Sequence, residues 1–194
     1  MLNIIIDKLA DAGYVHIGMD HFVKPTDKLA MARAMGKLTR NFQGYTIALA
    51  EDIVGLGVSA ISNMGNIMVQ NYRDLNSYYQ SLDRNKLPIE RGVILSEEDI
   101  LRKDIIHNLL CYRTLDIGAL EEKHHINFWR HFASSIKVIK QLCDDDILEL
   151  SDRSLVVPAR GIPFLRNVAM QFDAYLGASK PASGIRSAQY SKVL

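Results

Sequence analysis

The sequence predicts two architectures joined end to end. The terminal elements of a partial (β/α) barrel, α/β in class, span residues 1–90, and a small winged-helix-like α+β domain spans residues 91–194. Three observations carry that prediction. The chain opens with an amphipathic run that passes directly into a short apolar strand. Both early strands run into polar residues where a barrel would place its working groups. From Arg91 onward the order changes to helix, helix, hairpin and helix.

Leu2, Ile5, Ile6 and Leu9 recur at helical spacing and Gly13 follows as a stop, which predicts a helix over residues 2–12. Tyr14 to Met19 is a short apolar run with β-branched and aromatic content, the pattern of a buried parallel strand, and it ends in Asp20-His21. A second strand is expected from Asp52 to Val58, with Ser59 to Gly65 too polar and glycine-punctuated to extend it. Residues 72–84 read as a helix ended by Asn85-Lys86-Leu87-Pro88. Ser96 followed by Glu97, Glu98 and Asp99 is an N-cap with acidic first-turn residues, opening a helix whose Ile100, Ile105, Ile106, Leu109 and Leu110 can face one core. Phe128, Phe132, Ile136, Ile139 and Leu142 mark the next helix. Ile147–Leu150 and Leu155–Val157 flank the polar turn Ser151 to Ser154 as a hairpin. A last helix is expected over 159–176, and Gly177 to Ala188, rich in Gly, Ser and Ala, as a loop.

Composition narrows the function. A chain of 194 residues that is 48% hydrophobic buries a core. With 23 Lys plus Arg against 22 Asp plus Glu it has no general field to attract nucleic acid or anionic membrane, so any anionic partner is met locally. No run reaches the roughly 18 apolar residues of a membrane span. Cys111 and Cys143 are the only cysteines, and without a secretory pattern at the amino end they predict reduced thiols in a cytoplasmic protein. Two cysteines cannot supply the three clustered thiolates of an iron–sulfur centre. His124, His125 and His131 cannot share one helical face as a metal site, because only positions three or four apart do so.

Core packing does not demand the order Arg40-Asn41-Phe42-Gln43-Gly44-Tyr45-Thr46 or Gly55-Leu56-Gly57-Val58-Ser59-Ala60-Ile61. The Gly55-x-Gly57 pair lacks the third glycine and helix start of a dinucleotide site; its glycines admit a ligand or a neighbouring strand close to the backbone. Arg40 can pair bidentately with a carboxylate. Lys37, Arg91 and Arg166 are weaker candidates of that kind, and Asp20 and His21 can hydrogen-bond a ligand at the rim.

These two runs, with Gly18-Met19-Asp20-His21-Phe22, Arg166-Asn167 and Phe172-Asp173-x-Tyr175-Leu176, resemble the oxygen-independent coproporphyrinogen III oxidases in order across nearly the whole chain. The resemblance is to the carboxyl-terminal part of that family, the last elements of its radical S-adenosylmethionine barrel and its C-terminal domain. It implies a part in haem biosynthesis, where two propionates of coproporphyrinogen III are oxidatively decarboxylated to vinyl groups to give protoporphyrinogen IX. A 4Fe-4S cluster there cleaves S-adenosylmethionine to a 5′-deoxyadenosyl radical. The resemblance implies that Phe42 and Gln43 lie beside one S-adenosylmethionine and Ile61 contacts another, with Arg40, Asp20 and His21 as substrate-binding candidates. Phe42 can stack on a sulfonium-bearing ligand, Gln43 both donates and accepts, and Ile61 offers an apolar wall.

The chain departs from the family at Ile47-Ala48-Leu49-Ala50, where a polar stretch is usual, which puts cofactor contacts from residues 47–50 in doubt. It also lacks the cluster cysteines and the Gly-Gly-Gly-Thr-Pro segment, so an N-terminal barrel portion is an expected partner and the polypeptide alone is expected to be inactive. Two alternatives stand beside this reading. A haem chaperone of the same superfamily carries His-Asn-x-x-Tyr-Trp where Arg40 to Tyr45 stands here. A winged-helix module binding DNA would need a basic stripe, and the hairpin turn offers only Arg153.

Overall fold

The computed structural model describes residues 2–47 and 52–176. Helix α1 (Leu2–Asp11) leads into β1 (Val15–Gly18), which pairs antiparallel with β2 (His21–Val23), Val15 opposite Val23 and His16 opposite Phe22. The expected parallel strand is therefore one arm of a hairpin. Met19, with φ at 52°, turns the chain back before any crossover can form. Helix α2 (Lys28–Ala34) follows, capped by Asp27, whose carboxylate accepts from the Leu29 amide at 2.8 Å.

A tight hairpin comes next, β3 (Thr39–Asn41) against β4 (Gly44–Thr46), with Arg40 opposite Tyr45 and Asn41 opposite Gly44. Its two-residue tip is Phe42-Gln43. The Asn41 side chain accepts from the Gln43 amide at 2.8 Å, and Gly44 takes φ at 133°, a conformation that a Cβ disfavours.

Residues 52–58 form no strand beyond a single bridge between Ile53 and Asn63. The strand is β5 (Ile61–Met64), in the stretch whose polarity argued against one. It joins β6 (Ile67–Asn71) and β7 (Ile89–Ile94) in an antiparallel sheet of order β5-β6-β7. Gly57 (φ 97°) and Ser59 (φ 59°) break the extended backbone before β5, and Gly65 (φ 56°) makes its turn to β6. Polar residues suit a hairpin with one face in solvent, which a parallel-barrel reading does not anticipate. Helix α3 (Leu75–Asp83), capped by Asp74, spans the connection from β6 to β7 and buries none of its residues.

Helix α4 (Glu97–Tyr112) is the spine of the molecule. Its start is a capping box: Ser96 accepts from the Asp99 amide while the Asp99 carboxylate accepts from the Ser96 amide. Arg113 ends it in a left-handed conformation and turns the chain into β8 (Thr114–Asp116), then α5 (Ile117–His124), α6 (Phe128–His131) and α7 (Ile136–Asp144). Strands β9 (Glu149–Leu150) and β10 (Ser154–Val156) form the expected hairpin, and β8 completes a sheet of order β8-β10-β9. The single helix expected through Phe128 to Leu142 is broken between His131 and Ile136. The helix expected over 159–176 is a 3-10 turn (Ala159–Phe164) containing Pro163, followed by a short α8 (Leu165–Met170). Pro163 lacks the backbone donor that a continuous α-helix through this run would need. The loop expected at 177–188 lies outside the described residues.

The larger core gathers Leu101, Ile105 and Leu109 of α4 with Phe128, Phe132, Ile139, Leu155, Val168 and Phe172. A smaller one holds Ile17, Leu38, Tyr45 and Cys111. Helix α4 contributes to both, so it fastens the hairpins of the first half to the sheet of the second.

Candidate functional site

Helix α4 has two faces at helical spacing. Leu101, Ile105 and Leu109 are at most 2% exposed and point into the core. Asp99, Arg102, Lys103, Ile106, His107 and Leu110 run along the adjacent stripe and line a cavity of about 630 Å³. Ile106 and Leu110, expected in the core with Ile105 and Leu109, thus form cavity wall as well as packing on the core's edge. The tip of the β3–β4 hairpin, Ile61 and Asn63 of β5, and the turn 172–175 after α8 close the other sides.

Four of the six side chains singled out from the sequence meet on this cavity: Arg40, Phe42, Gln43 and Ile61. Phe42 is 59% exposed, so the hairpin tip presents its ring outward instead of burying it. Asp20 and His21 are placed elsewhere, Asp20 in the β1–β2 turn and His21 at the start of β2. The His21 Nδ1 is 2.9 Å from the Asp20 carboxylate, its ring meets Tyr45 edge-on at 5.1 Å, and its Nε2 lies 3.0 Å from where a Cβ on Gly44 would sit. His21 therefore braces the hairpin from behind. Among the weaker candidates, Lys37, Arg91 and Arg166 also lie off the cavity. Of the two glycines, Gly55 serves a neighbouring strand, since a Cβ there would stand 2.7 Å from the Ile61 carbonyl and its amide donates to Ser62 at 3.0 Å, whereas Gly57 has open space around it and is set by its positive φ. The close approach of Gly55 holds Ile61 at the cavity wall.

The hairpin is fixed to α4 by hydrogen bonds. Thr39 Oγ1 lies 3.2 Å from His107 Nε2, the Tyr45 hydroxyl donates to the Leu110 carbonyl at 2.8 Å, and Tyr112 donates to the Leu38 carbonyl at 2.6 Å. Burial raises the Tyr45 phenol to about 12 and lowers the His107 imidazole from its usual value, so the phenol stays protonated and the imidazole is pressed toward neutrality. On the far wall, Tyr175 donates to Asp99 at 2.8 Å and Arg102 donates to the Phe172 carbonyl at 3.0 Å, tying the 172–175 turn to the start of α4. The Asp99 carboxyl is held below the usual range by its bonds from Ser96 and Tyr175.

The α4 stripe and the 172–175 turn were missed as cavity wall in the sequence. The signal was present in part: Asp99, Arg102, Lys103, Ile106, His107 and Leu110 follow helical spacing, but alternation of charged and apolar residues there also describes an ordinary solvated face. The histidines resolve as structural. His124 is paired with Asp104 at 2.8 Å at the end of α5, His131 with Glu98 at 2.8 Å, and His125 caps α5. Among the described residues no group of three or more His, Cys, Asp or Glu could hold a metal ion. Cys111 is fully buried, with its thiol pushed up to about 11, and Cys143 is partly buried on another helix; both are free.

The chain is similar to known proteins in sequence and in fold. Residues 95–164 match the HemN C-terminal domain. The chain is 39% identical over all 194 residues to the oxygen-independent coproporphyrinogen III oxidase of Salmonella typhimurium, and 38% identical over 186 residues to that of Escherichia coli. It spans 41% and 40% of the length of those two relatives. The solved structure of the Escherichia coli coproporphyrinogen III oxidase HemN, described as a radical SAM enzyme, superposes with a TM-score of 0.87 at 39% identity, covering 90% of this chain and 40% of that one. The chain thus resembles, in sequence and in fold, the C-terminal part of oxygen-independent coproporphyrinogen III oxidases.

Proposed function

We propose that this chain forms the cofactor- and substrate-facing wall of an oxygen-independent coproporphyrinogen III oxidase, an enzyme that oxidatively decarboxylates two propionates of coproporphyrinogen III to vinyl groups. The observation that carries the reading is the convergence of Arg40, Phe42, Gln43 and Ile61 on one cavity, with the α4 stripe opposite.

The residues present fit S-adenosylmethionine and do not fit the cluster. A flat, exposed aromatic ring, a primary amide able to donate and accept, and a β-branched wall suit a ligand that combines adenine, sulfonium and amino-acid groups. When bound and reductively cleaved, S-adenosylmethionine supplies the hydrogen-abstracting radical. This chain's own part is to hold the ligand at Phe42 and Gln43, keep Ile61 against it, and exclude water with Ile106, Leu110 and Phe172. The iron–sulfur cluster finds no donor set here, since Cys111 is buried in a core with its thiol protonated and Cys143 lies apart from it. The proposal therefore assigns the cluster to a barrel portion other than this sequence, and assigns this chain no turnover without it.

No observation favours DNA binding, since Arg153 of the β9–β10 turn lies over Gly118 with its Nη2 3.3 Å from the Cβ position there. Equilibrium dialysis with radiolabelled S-adenosylmethionine tests the proposal. The chain should bind it, and Phe42→Ala and Gln43→Ala should each weaken binding by about tenfold, the loss of one well-packed or hydrogen-bonded group. Equal binding by the parent and both variants, or no binding by any, contradicts the assignment.

A further inference from the structure

The charges on the cavity wall are unevenly committed. Three cations line it among the described residues: Arg40, Arg102 and Lys103. Arg102 is engaged, with Nε 2.5 Å from Glu98, Nη1 on the Phe172 carbonyl and its guanidinium over the Phe132 ring. The two carboxylates on the wall already accept hydrogen bonds, Asp99 from Ser96 and Tyr175, and Asp173 from the Tyr175 amide. Arg40 and Lys103 have no carboxylate partner among the described residues. The Arg40 Nε is buried without an acceptor, the guanidinium lying 5.7 Å from the Tyr45 ring centroid, where the aromatic face is its main compensation. A buried nitrogen without an acceptor is costly, and the terminal nitrogens of Arg40 make no hydrogen bond or ion pair among the described residues, so their donors are left for a ligand on the cavity side.

We propose that Arg40 and Lys103 form a carboxylate-recognition pair that takes the ionised propionates of a tetrapyrrole across the cavity. This rests on the reading of the cavity given above and extends it to the substrate. Arg40 rises from the β3–β4 hairpin and Lys103 from α4, which the Thr39–His107 contact holds together, so the cations stand on two different elements around one space. Arg40 offers a fork matched to both oxygens of one carboxylate; Lys103 is a flexible point charge that reaches a second. Ile61, Ile106 and Leu110 supply the apolar surface that a macrocycle requires between its charged arms. A ligand carrying at least two carboxylates on an apolar frame meets both cations, whereas a neutral frame of the same size meets neither.

Fluorescence titration of the chain with coproporphyrin III and with its tetramethyl ester tests this. The free acid should bind at least about tenfold more tightly than the ester, and Lys103→Met and Arg40→Met should each weaken acid binding by about tenfold while leaving ester binding unchanged. Lys103→Arg should restore acid binding, and circular dichroism should show all variants folded. Ester binding as tight as acid binding, or acid binding unmoved by both Met variants, overturns the pair. Failure of the acid to bind at all also overturns it. S-adenosylmethionine binding, measured separately by dialysis, decides the Phe42 and Gln43 assignment whatever the porphyrin result.

Discussion

Tyr45 and Gly18 show how tightly individual residues set this site. The Tyr45 hydroxyl reaches the Leu110 carbonyl across the boundary between hairpin and helix, and Gly18 leaves it the space: a Cβ there would lie 2.2 Å from that oxygen and 3.0 Å from the Leu110 carbonyl. Tyr45→Phe leaves a buried carbonyl unpaired and should lower stability by about 1–2 kcal/mol. Gly18→Ala should cost more, and the double variant should be less destabilised than the sum of the two, because Phe removes the atom that the new methyl strikes. Urea midpoints of the four proteins give the coupling; strict additivity contradicts the contact. His107 adds a pH signature. Burial lowers its folded-state value below the ordinary 6.5, so the unfolded chain takes up protons first on acidification, and its contribution to stability, present above 6.5, is lost as pH falls through the folded-state value. Burial lowers His16 in the same direction, so both histidines should make stability decline below neutral pH. His107→Gln should flatten that decline, and an unchanged slope contradicts its burial as a neutral group.

At the level of elements, legibility followed how local the determining physics was. The helix at 97–112 could be read to its first residue because Ser96 and Asp99 form a cap within four positions, and the hairpin around Ser151 to Ser154 announced itself by its polar turn. What failed was pairing. Val15–Gly18 reads identically as a parallel or an antiparallel arm, and only Met19 at positive φ decides, which sequence alone does not display. The strand at 61–64 was hidden because its partner and the close approach of Gly55 stabilise it, whereas its own composition does not. Of the cavity wall, the hairpin tip and Ile61 were named only through the family resemblance of their motifs, while the α4 stripe was masked by its likeness to a solvated surface. Two element-scale outcomes follow. Ser96→Ala removes the α4 cap and should cost about 1 kcal/mol by thermal or urea unfolding. Gly161→Ala places a methyl 2.0 Å from the Ile147 carbonyl and 2.9 Å from Val157, so it should displace the 3-10 turn from the sheet and destabilise by several times the Ser96→Ala effect.

Across the whole molecule, α4 joins two halves that differ in how much they bury. The second half has a continuous core around Phe128, Phe132 and Phe172, whereas α3 buries none of its residues and Leu56, Leu75, Leu87 and Ile94 stand exposed in the first. Hydrogen exchange should therefore show the α4, β8 and β10 amides protected to the level of global unfolding and those of α3 exchanging through local opening. The Arg113 contact with the His16 carbonyl at 2.7 Å, together with the Tyr45 and Tyr112 bonds, makes the cavity dependent on both halves: one supplies the hairpin and Ile61, the other the α4 stripe and the 172–175 turn. The chain as a whole resembles the C-terminal part of larger oxidases, spanning 41% of the Salmonella typhimurium relative. The most direct measurement is anaerobic conversion of coproporphyrinogen III to protoporphyrinogen IX by this chain mixed with the cluster-bearing N-terminal remainder of the Salmonella typhimurium relative. The account predicts no turnover by either piece alone, turnover by the mixture, and its loss when Phe42→Ala or Gln43→Ala is introduced; turnover by this chain alone, or a mixture unaffected by both substitutions, would contradict it.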